Sequence, residues 1–169
     1  MNRRDFLASG AGAASLALTS SPAATAGSEF SQWSVEELRR LGVWDVHAHV
    51  GTPGPNPAKR MEALVRIADR VGVERMCIFM SPPWQHEPKP AEFRRSNDDV
   101  LAILKEWGSR AFGFVYLNPA HLKESLAELE RCVADGPMVG IKLWVGARAN
   151  RAELDPIVKR AVELDALIF

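Results

Sequence analysis

The chain has 169 residues, of which 47% are hydrophobic and 25% charged, and its formal net charge is zero. That composition belongs to an ordinary globular protein of about one domain, and the neutral balance excludes a strong electrostatic grip on nucleic acid or an anionic membrane surface. Cys77 and Cys132 are far apart, fall in apolar segments and follow no metal or redox spacing, so they read as small core residues.

Arg3 and Arg4 stand directly before an apolar, small-residue stretch over 7–18, and Ala24-Thr25-Ala26 follows as an A-x-A cleavage site. This order of charged, apolar and small-residue regions reads as a signal peptide over 1–26. The arginine pair points to twin-arginine export, with that machinery as a partner and the periplasm as the destination. No later apolar run approaches the roughly 20 residues needed to span a bilayer.

Residues 27–42 read as a polar linker and a short helix, opened by the capping box Ser34-Val35-Glu36-Glu37 and closed by Gly42. Strand and helix patterns alternate from there. Residues 43–50 are strand-like. Asn56-Pro57 opens a helix in which Met61, Leu64, Val65, Ala68 and Val71 form one apolar stripe, and Gly72 stops it. A strand over 75–80 precedes a long proline-rich loop over 81–96. A helix over 97–107, a strand over 111–117, a helix over 120–134 and a strand over 139–145 follow. Asp155-Pro156 caps a further helix, and a fifth strand begins at Ala166.

Strands alternating with helices predict βαβ units and a parallel sheet. Met76-Cys77-Ile78-Phe79-Met80 is apolar throughout, as a strand covered on both faces should be. A closed eight-stranded barrel takes ~250 residues. The alternation fits either an open doubly wound sheet or a barrel. Four β/α units and the start of a fifth strand fit half a barrel better than a finished one, and the expected fold is α/β of the (β/α)8 TIM-barrel type, present over 43–169 as an incomplete, N-terminal half.

The first strand carries the chemistry. In Val43-Trp44-Asp45-Val46-His47-Ala48-His49-Val50, strict alternation puts Asp45, His47 and His49 on one face and Trp44, Val46, Ala48 and Val50 on the other. If the apolar set packs beneath the helices, the polar set points inward, where three unpartnered groups would cost roughly 1–3 kcal/mol each. A cation shared by His47 and His49 removes that cost. The pair also lies at the C-terminal end of its strand, where such barrels build their active sites.

Trp44-Asp45-Val46-His47-Ala48-His49, together with the strand Val139-Gly140-Ile141-Lys142-Leu143-Trp144 and the Asp155-Pro156 helix after it, resembles the amidohydrolase superfamily, specifically its amidohydrolase-related (amidohydrolase-2) group. The resemblance spans about 43–169. It implies a metal-dependent hydrolase that cleaves a C–N or C–O bond of a small molecule with metal-activated water. The cofactor is then a divalent metal, zinc foremost, which lowers the pKa of a bound water to roughly 7. The same group includes decarboxylases that remove a carboxylate from an aromatic ring, which is the alternative reading; a non-catalytic fragment is the third. By this resemblance His47 and His49 are the first two metal ligands. Further histidines would come from the fifth and sixth strands, and the general-base Asp from the eighth, beyond Phe169.

Lys142 shares its strand face with Gly140 and Trp144, and resembles the carboxylated lysine that bridges two metals in some members of the superfamily. Taken alone, it fits equally a buried partner of Asp45 or a binder of a substrate carboxylate. Trp84 and His86, in the loop after the second strand, and Tyr116, at the end of the third, are candidates for substrate binding at the same rim. Trp84 with Phe93 would form an apolar lid, and Asn118 either touches substrate or starts the next helix. The edge left open by the fifth strand predicts association with further copies of the chain.

Overall fold

Local signals in the sequence set the element boundaries in the computed structural model, which describes residues 33–51, 56–80, 87–144, 146, 148 and 150–169. The signal-peptide segment and the loop candidates Trp84 and His86 lie outside the described residues. Helix α1 (Val35–Leu41) opens on the expected capping box: the Glu37 amide donates to Ser34 Oγ at 3.2 Å and the Ser34 amide to Glu37 Oε2 at 2.7 Å. Strand β1 (Trp44–Ala48) follows. Helix α2 (Pro57–Val71) starts at Asn56, whose side chain accepts from the Lys59 amide at 2.9 Å, and ends at Gly72 with φ of 76°. A side chain there would adopt a left-handed conformation that L-residues resist, with its Cβ 2.7 Å from Leu38 Cβ.

Strand β2 (Arg75–Ile78) leads to helix α3 (Pro90–Trp107). This helix begins seven residues earlier than the sequence pattern suggests, so the loop before it is shorter. Pro90 supplies a preset φ in the first turn, and the Lys89 amide donates to Glu92 Oε2 at 2.7 Å. Phe93, expected in a lid, is instead a fully buried residue of α3. Strand β3 (Ala111–Leu117) is buried along its whole length. Asn118 starts the next element, accepting from the Ala120 amide at 3.1 Å; a 3₁₀ turn (Pro119–His121) then runs into α4 (Leu122–Leu129) and a π-helical turn (Glu130–Ala134).

Strand β4 (Gly140–Leu143) is shorter than expected. Asp155 does not cap the last helix. A 3₁₀ turn (Ala152–Leu154) precedes it, and Asp155 occupies the first turn of α5 (Asp155–Glu163). Strand β5 (Leu167–Ile168) completes the order.

All four strand pairings are parallel, in the order β1-β2-β3-β4-β5, and the sheet curls into half of a TIM-type barrel. Its outer side carries the helices: Met76, Ile78, Ala111, Val115 and Ile141 pack against Met61, Val65, Val100, Ile103 and Ile157. Each of the larger of these side chains contributes ~1.5–3 kcal/mol by leaving water. The inner side holds a second cluster of Cys77, Phe79, Phe112, Phe114 and Val139, with Trp44 and Leu167 against it. Gly140 permits the sheet to close here, because a Cβ would lie 2.5 Å from the Leu167 carbonyl oxygen and 2.7 Å from Phe114 Cε1. Both cysteines are buried and free, as their apolar surroundings indicated. Burial pushes the Cys77 thiol up to about 11 and the Cys132 thiol up to about 12, so neither forms a thiolate readily. On the two edge strands Val46 and Ile168 are exposed. Among the described residues, no helix is long and apolar enough to cross a membrane.

Candidate metal centre

Strand β1 does not alternate strictly. Trp44 pairs with Arg75, Asp45 with Met76 and Ala48 with Ile78, so two residues, Val46 and His47, oppose the single residue Cys77. This bulge changes which side chains face inward. Trp44, expected beneath the helices, lies on the inner side with its ring centroid 5.0 Å from that of Phe112. Val46, expected in the same packed set, is 55% exposed. Ala48 and Val50 do join the helix-facing core. Asp45 pairs with a residue of that outer core and folds back on its own strand, where Oδ1 accepts from the His47 amide at 2.9 Å. The carboxylate thereby holds the bulge that presents His47.

The bulge brings the two imidazoles together. His47 Nε2 and His49 Nε2 lie 3.2 Å apart. His49 Nδ1 lies 3.0 Å from the Phe79 carbonyl oxygen, which can only accept, so Nδ1 carries the proton and Nε2 keeps its lone pair toward His47. Orientation of a ring by a carbonyl on the far nitrogen is the usual support for a metal-ligating histidine. Burial lowers the His49 pKa. The Phe79 carbonyl opposes that shift, and the nearby His47 and Lys142 charges add to it. The lowered pKa favours the neutral, ligating form of the ring.

These donors fit a divalent ion. Imidazole nitrogens bind zinc at about 2.0–2.1 Å, and two of them 3.2 Å apart subtend about 100° at an ion placed so, close to a tetrahedral angle. Among the described residues no group of three or more His, Cys, Asp or Glu side chains gathers to hold a metal. The pair supplies two donors.

Around the pair the inner surface is aromatic. The Phe79 ring stands 4.9 Å from His47 and 4.8 Å from His49, and Phe169 stands 5.2 Å from His47, all centroid to centroid. Phe79, Phe114 and Phe169 touch one another at 5.3–6.2 Å. Lys142 is 7% exposed, with Nζ 4.8 Å from the Phe79 centroid and 4.6 Å from that of Phe169. Among the described residues it makes no ion pair with Asp45 or any other carboxylate, and burial lowers its pKa. Tyr116, its register partner on β3, is 4% exposed. The Tyr116 hydroxyl is buried with no hydrogen-bond partner among the described residues, and burial pushes its pKa up to about 12.

The structure thus brings His47, His49 and Lys142 around one aromatic floor, with Tyr116 beside Lys142. His121 lies apart from them, its ring 6.5 Å from that of Phe93. Three contributors escaped the sequence reading. The Phe79 carbonyl orients His49, and the Phe169 ring covers Lys142. The third is Asn97 of α3: Tyr116 N donates to Asn97 Oδ1 at 2.8 Å, and Asn97 Nδ2 donates to the Tyr116 carbonyl at 3.1 Å. Asn97 thus takes the place of a strand neighbour where β2 has already left β3. Only for Phe79 did a signal exist, since alternation from Cys77 puts its ring inward while its carbonyl stays at the strand end.

Several known proteins are similar to this chain. Lactate utilization protein C of Anoxybacillus flavithermus is 34% identical over 82 residues, which cover 47% of this chain and 37% of that protein. The fold resembles a 2,6-dihydroxybenzoate decarboxylase from Rhizobium (TM-score 0.58, 16% identity). It also resembles a dihydroxybenzoic acid decarboxylase from Polaromonas sp. JS666 solved with bound manganese and the inhibitor 2-nitroresorcinol (TM-score 0.55, 19% identity). Each alignment covers 75% of this chain and 48% of the other, so the chain spans about half the length of the solved structures it matches. The sequence pattern of the amidohydrolase family matches residues 44–169, from the start of β1, which leads to His47 and His49, to Phe169 just past β5, and the chain belongs to that family.

Proposed function

We propose that this chain supplies one half of a metal-dependent enzyme whose His47 and His49 hold a divalent cation, and that the enzyme decarboxylates an aromatic acid. The observation that carries this reading is the convergence of the two Nε2 atoms, 3.2 Å apart, beside a floor of phenylalanine rings. Imidazole ligands suit zinc, which is the ion we assign. The aromatic floor favours a planar ring as substrate, and the likeness in fold to dihydroxybenzoate decarboxylases supports the same reaction. The hydrolase reading shares the metal centre but draws no support from these rings.

When bound, the cation supplies positive charge to an anionic substrate oxygen. The chain's own residues do the rest. Phe79 and His49 fix the ligand geometry, Asp45 holds the strand that presents His47, and the phenylalanine rings exclude water and seat the substrate ring. In the reaction the bond between ring carbon and carboxylate breaks and CO2 leaves. The electron pair stays on the ring carbon, which takes a proton, and nothing is oxidised or reduced.

The test uses the full-length protein that carries this chain, loaded with zinc or manganese and given 2,6-dihydroxybenzoate. Resorcinol and CO2 should form, stop on chelation and return with added metal. Hydrolysis of an amide, ester or lactone panel without CO2 release would assign the enzyme to the hydrolases instead.

We also infer that the enzyme works in the periplasm after twin-arginine export, on the strength of Arg3-Arg4 and Ala24-Thr25-Ala26. The exported form should begin near Gly27 on N-terminal sequencing, and changing both arginines to lysine should leave the protein in the cytoplasm. An exported form that still begins at Met1 would contradict this.

A further inference from the structure

Lys142 is the buried cation that the metal centre leaves unexplained. It is more than nine-tenths buried, it faces no carboxylate among the described residues, and two phenyl rings cover its ammonium. Ring faces return only part of the hydration that a buried ammonium gives up. Its register partner Tyr116 holds a hydroxyl that is buried and unpaired. A buried hydroxyl without a partner and a buried side chain whose ammonium meets two rings but no carboxylate, at the same height of adjacent strands, mark a place for something that accepts hydrogen bonds and carries negative charge. The nearest acid in sequence on β1, Asp45, is occupied with the His47 amide. A divalent ion on the two histidines would raise the local positive charge further, so an anion is what the site lacks.

We propose that Lys142 and Tyr116 form the acid-binding half of the substrate site, where the ammonium pairs with an aromatic substrate's carboxylate and the Tyr116 hydroxyl donates a hydrogen bond to it. The proposal rests on the decarboxylase reading and names the group that recognises the substrate's charge. The Phe79 and Phe169 rings that flank Lys142 then lie where the substrate ring joins its carboxylate, so one patch of surface reads both features of an aromatic acid. Lys142 acts as a point charge here and needs no carboxylation.

The experiment compares two planar probes of the same shape, anionic benzoate and neutral benzamide, by calorimetric titration into the full-length, metal-loaded protein. The wild type should bind benzoate roughly tenfold or more tighter than benzamide. Lys142→Met, whose thioether still packs between the rings, should bind benzoate roughly 10–100-fold more weakly, with benzamide affinity and metal content unchanged. Tyr116→Phe should weaken benzoate roughly 3–10-fold without loss of stability, because its hydroxyl has no partner to lose. Should Lys142→Met fail to fold, Lys142→Arg keeps the charge and should keep the preference, and Tyr116→Phe carries the test beside it.

Three results overturn the proposal: a wild type that does not discriminate the probes, a Lys142→Met protein that binds benzoate normally, or a Lys142→Met protein that loses metal together with benzoate. The last would make Lys142 a metal ligand. Absence of CO2 release with the benzoate preference intact would sink the decarboxylase reading and leave this site standing.

Discussion

Full-length protein carrying His47→Ala is expected to hold its metal roughly 100-fold more weakly than the wild type and to lose its metal-dependent turnover, and His49→Ala should behave alike. Each change removes one of two Nε2 donors that stand 3.2 Å apart. The remaining imidazole alone cannot enforce the angle that the pair presents. The two variants should nevertheless differ in a second property. His47 is exposed on the inner surface, whereas His49 is half-buried and tied through Nδ1 to the Phe79 carbonyl at 3.0 Å. His49→Ala therefore also leaves a carbonyl unpaired and should unfold at slightly lower denaturant, by about 1 kcal/mol. His121→Ala is the control, because that ring sits against Phe93 and away from the pair. Elemental analysis after dialysis gives the answer, and unchanged metal in His47→Ala would remove these residues from the centre.

How far the sequence spoke for itself depended on the range of the physics involved. Elements closed by local chemistry were legible: Ser34 with Glu37, Asn56 before Pro57, and Gly72 after the last turn all act within a few residues. The parallel sheet followed from apolar strands alternating with striped helices, whereas the same alternation fits an open doubly wound sheet as well as a barrel. What failed was strict period-two counting through β1. A bulge inserts one residue between Asp45 and Ala48, and its cause is the pairing to β2, which no pattern within β1 reveals. The histidines still came out together because the bulge turns His47 inward beside His49. The supporting contacts were out of reach for a similar reason. Asn97 reaches Tyr116 across 19 residues and Phe79 reaches His49 across 30; alternation along β2 points to the inward Phe79 ring, but no pattern pairs either contact with its distant partner.

Loss of Glu128 should cost the fold heavily, with an effect that reaches the site. Its side chain is 3% exposed in α4. One carboxylate oxygen accepts from Arg94 at 3.0 Å and from Arg131 Nε at 2.8 Å; the other accepts from Arg131 Nη2 at 2.6 Å and from Asn97 at 3.0 Å. Asn97 in turn brackets the Tyr116 backbone, so the carboxylate braces the strand position beside Lys142. Glu128→Ala leaves a buried amide and a part-buried guanidinium facing a void, and should destabilise the protein by about 3 kcal/mol.

The acid response of the wild type separates charge from shape. Burial alone would raise the Glu128 pKa, but the hydrogen bonds from Arg131 and Asn97 and the charges of Arg131 and Arg94 outweigh it, and the pKa lies below the usual 4.5. The folded carboxyl therefore binds its proton less readily than the unfolded one. Its contribution is complete above pH ~4.5 and is lost as the pH falls through the lower, folded value. Glu128→Gln keeps the shape and removes the titration. It should be less stable than the wild type at pH 7, and the gap should narrow as the pH drops below ~4.5. Urea midpoints for the two proteins at several pH values measure this, and a gap that stays constant into acid would show that Glu128 stabilises by packing alone.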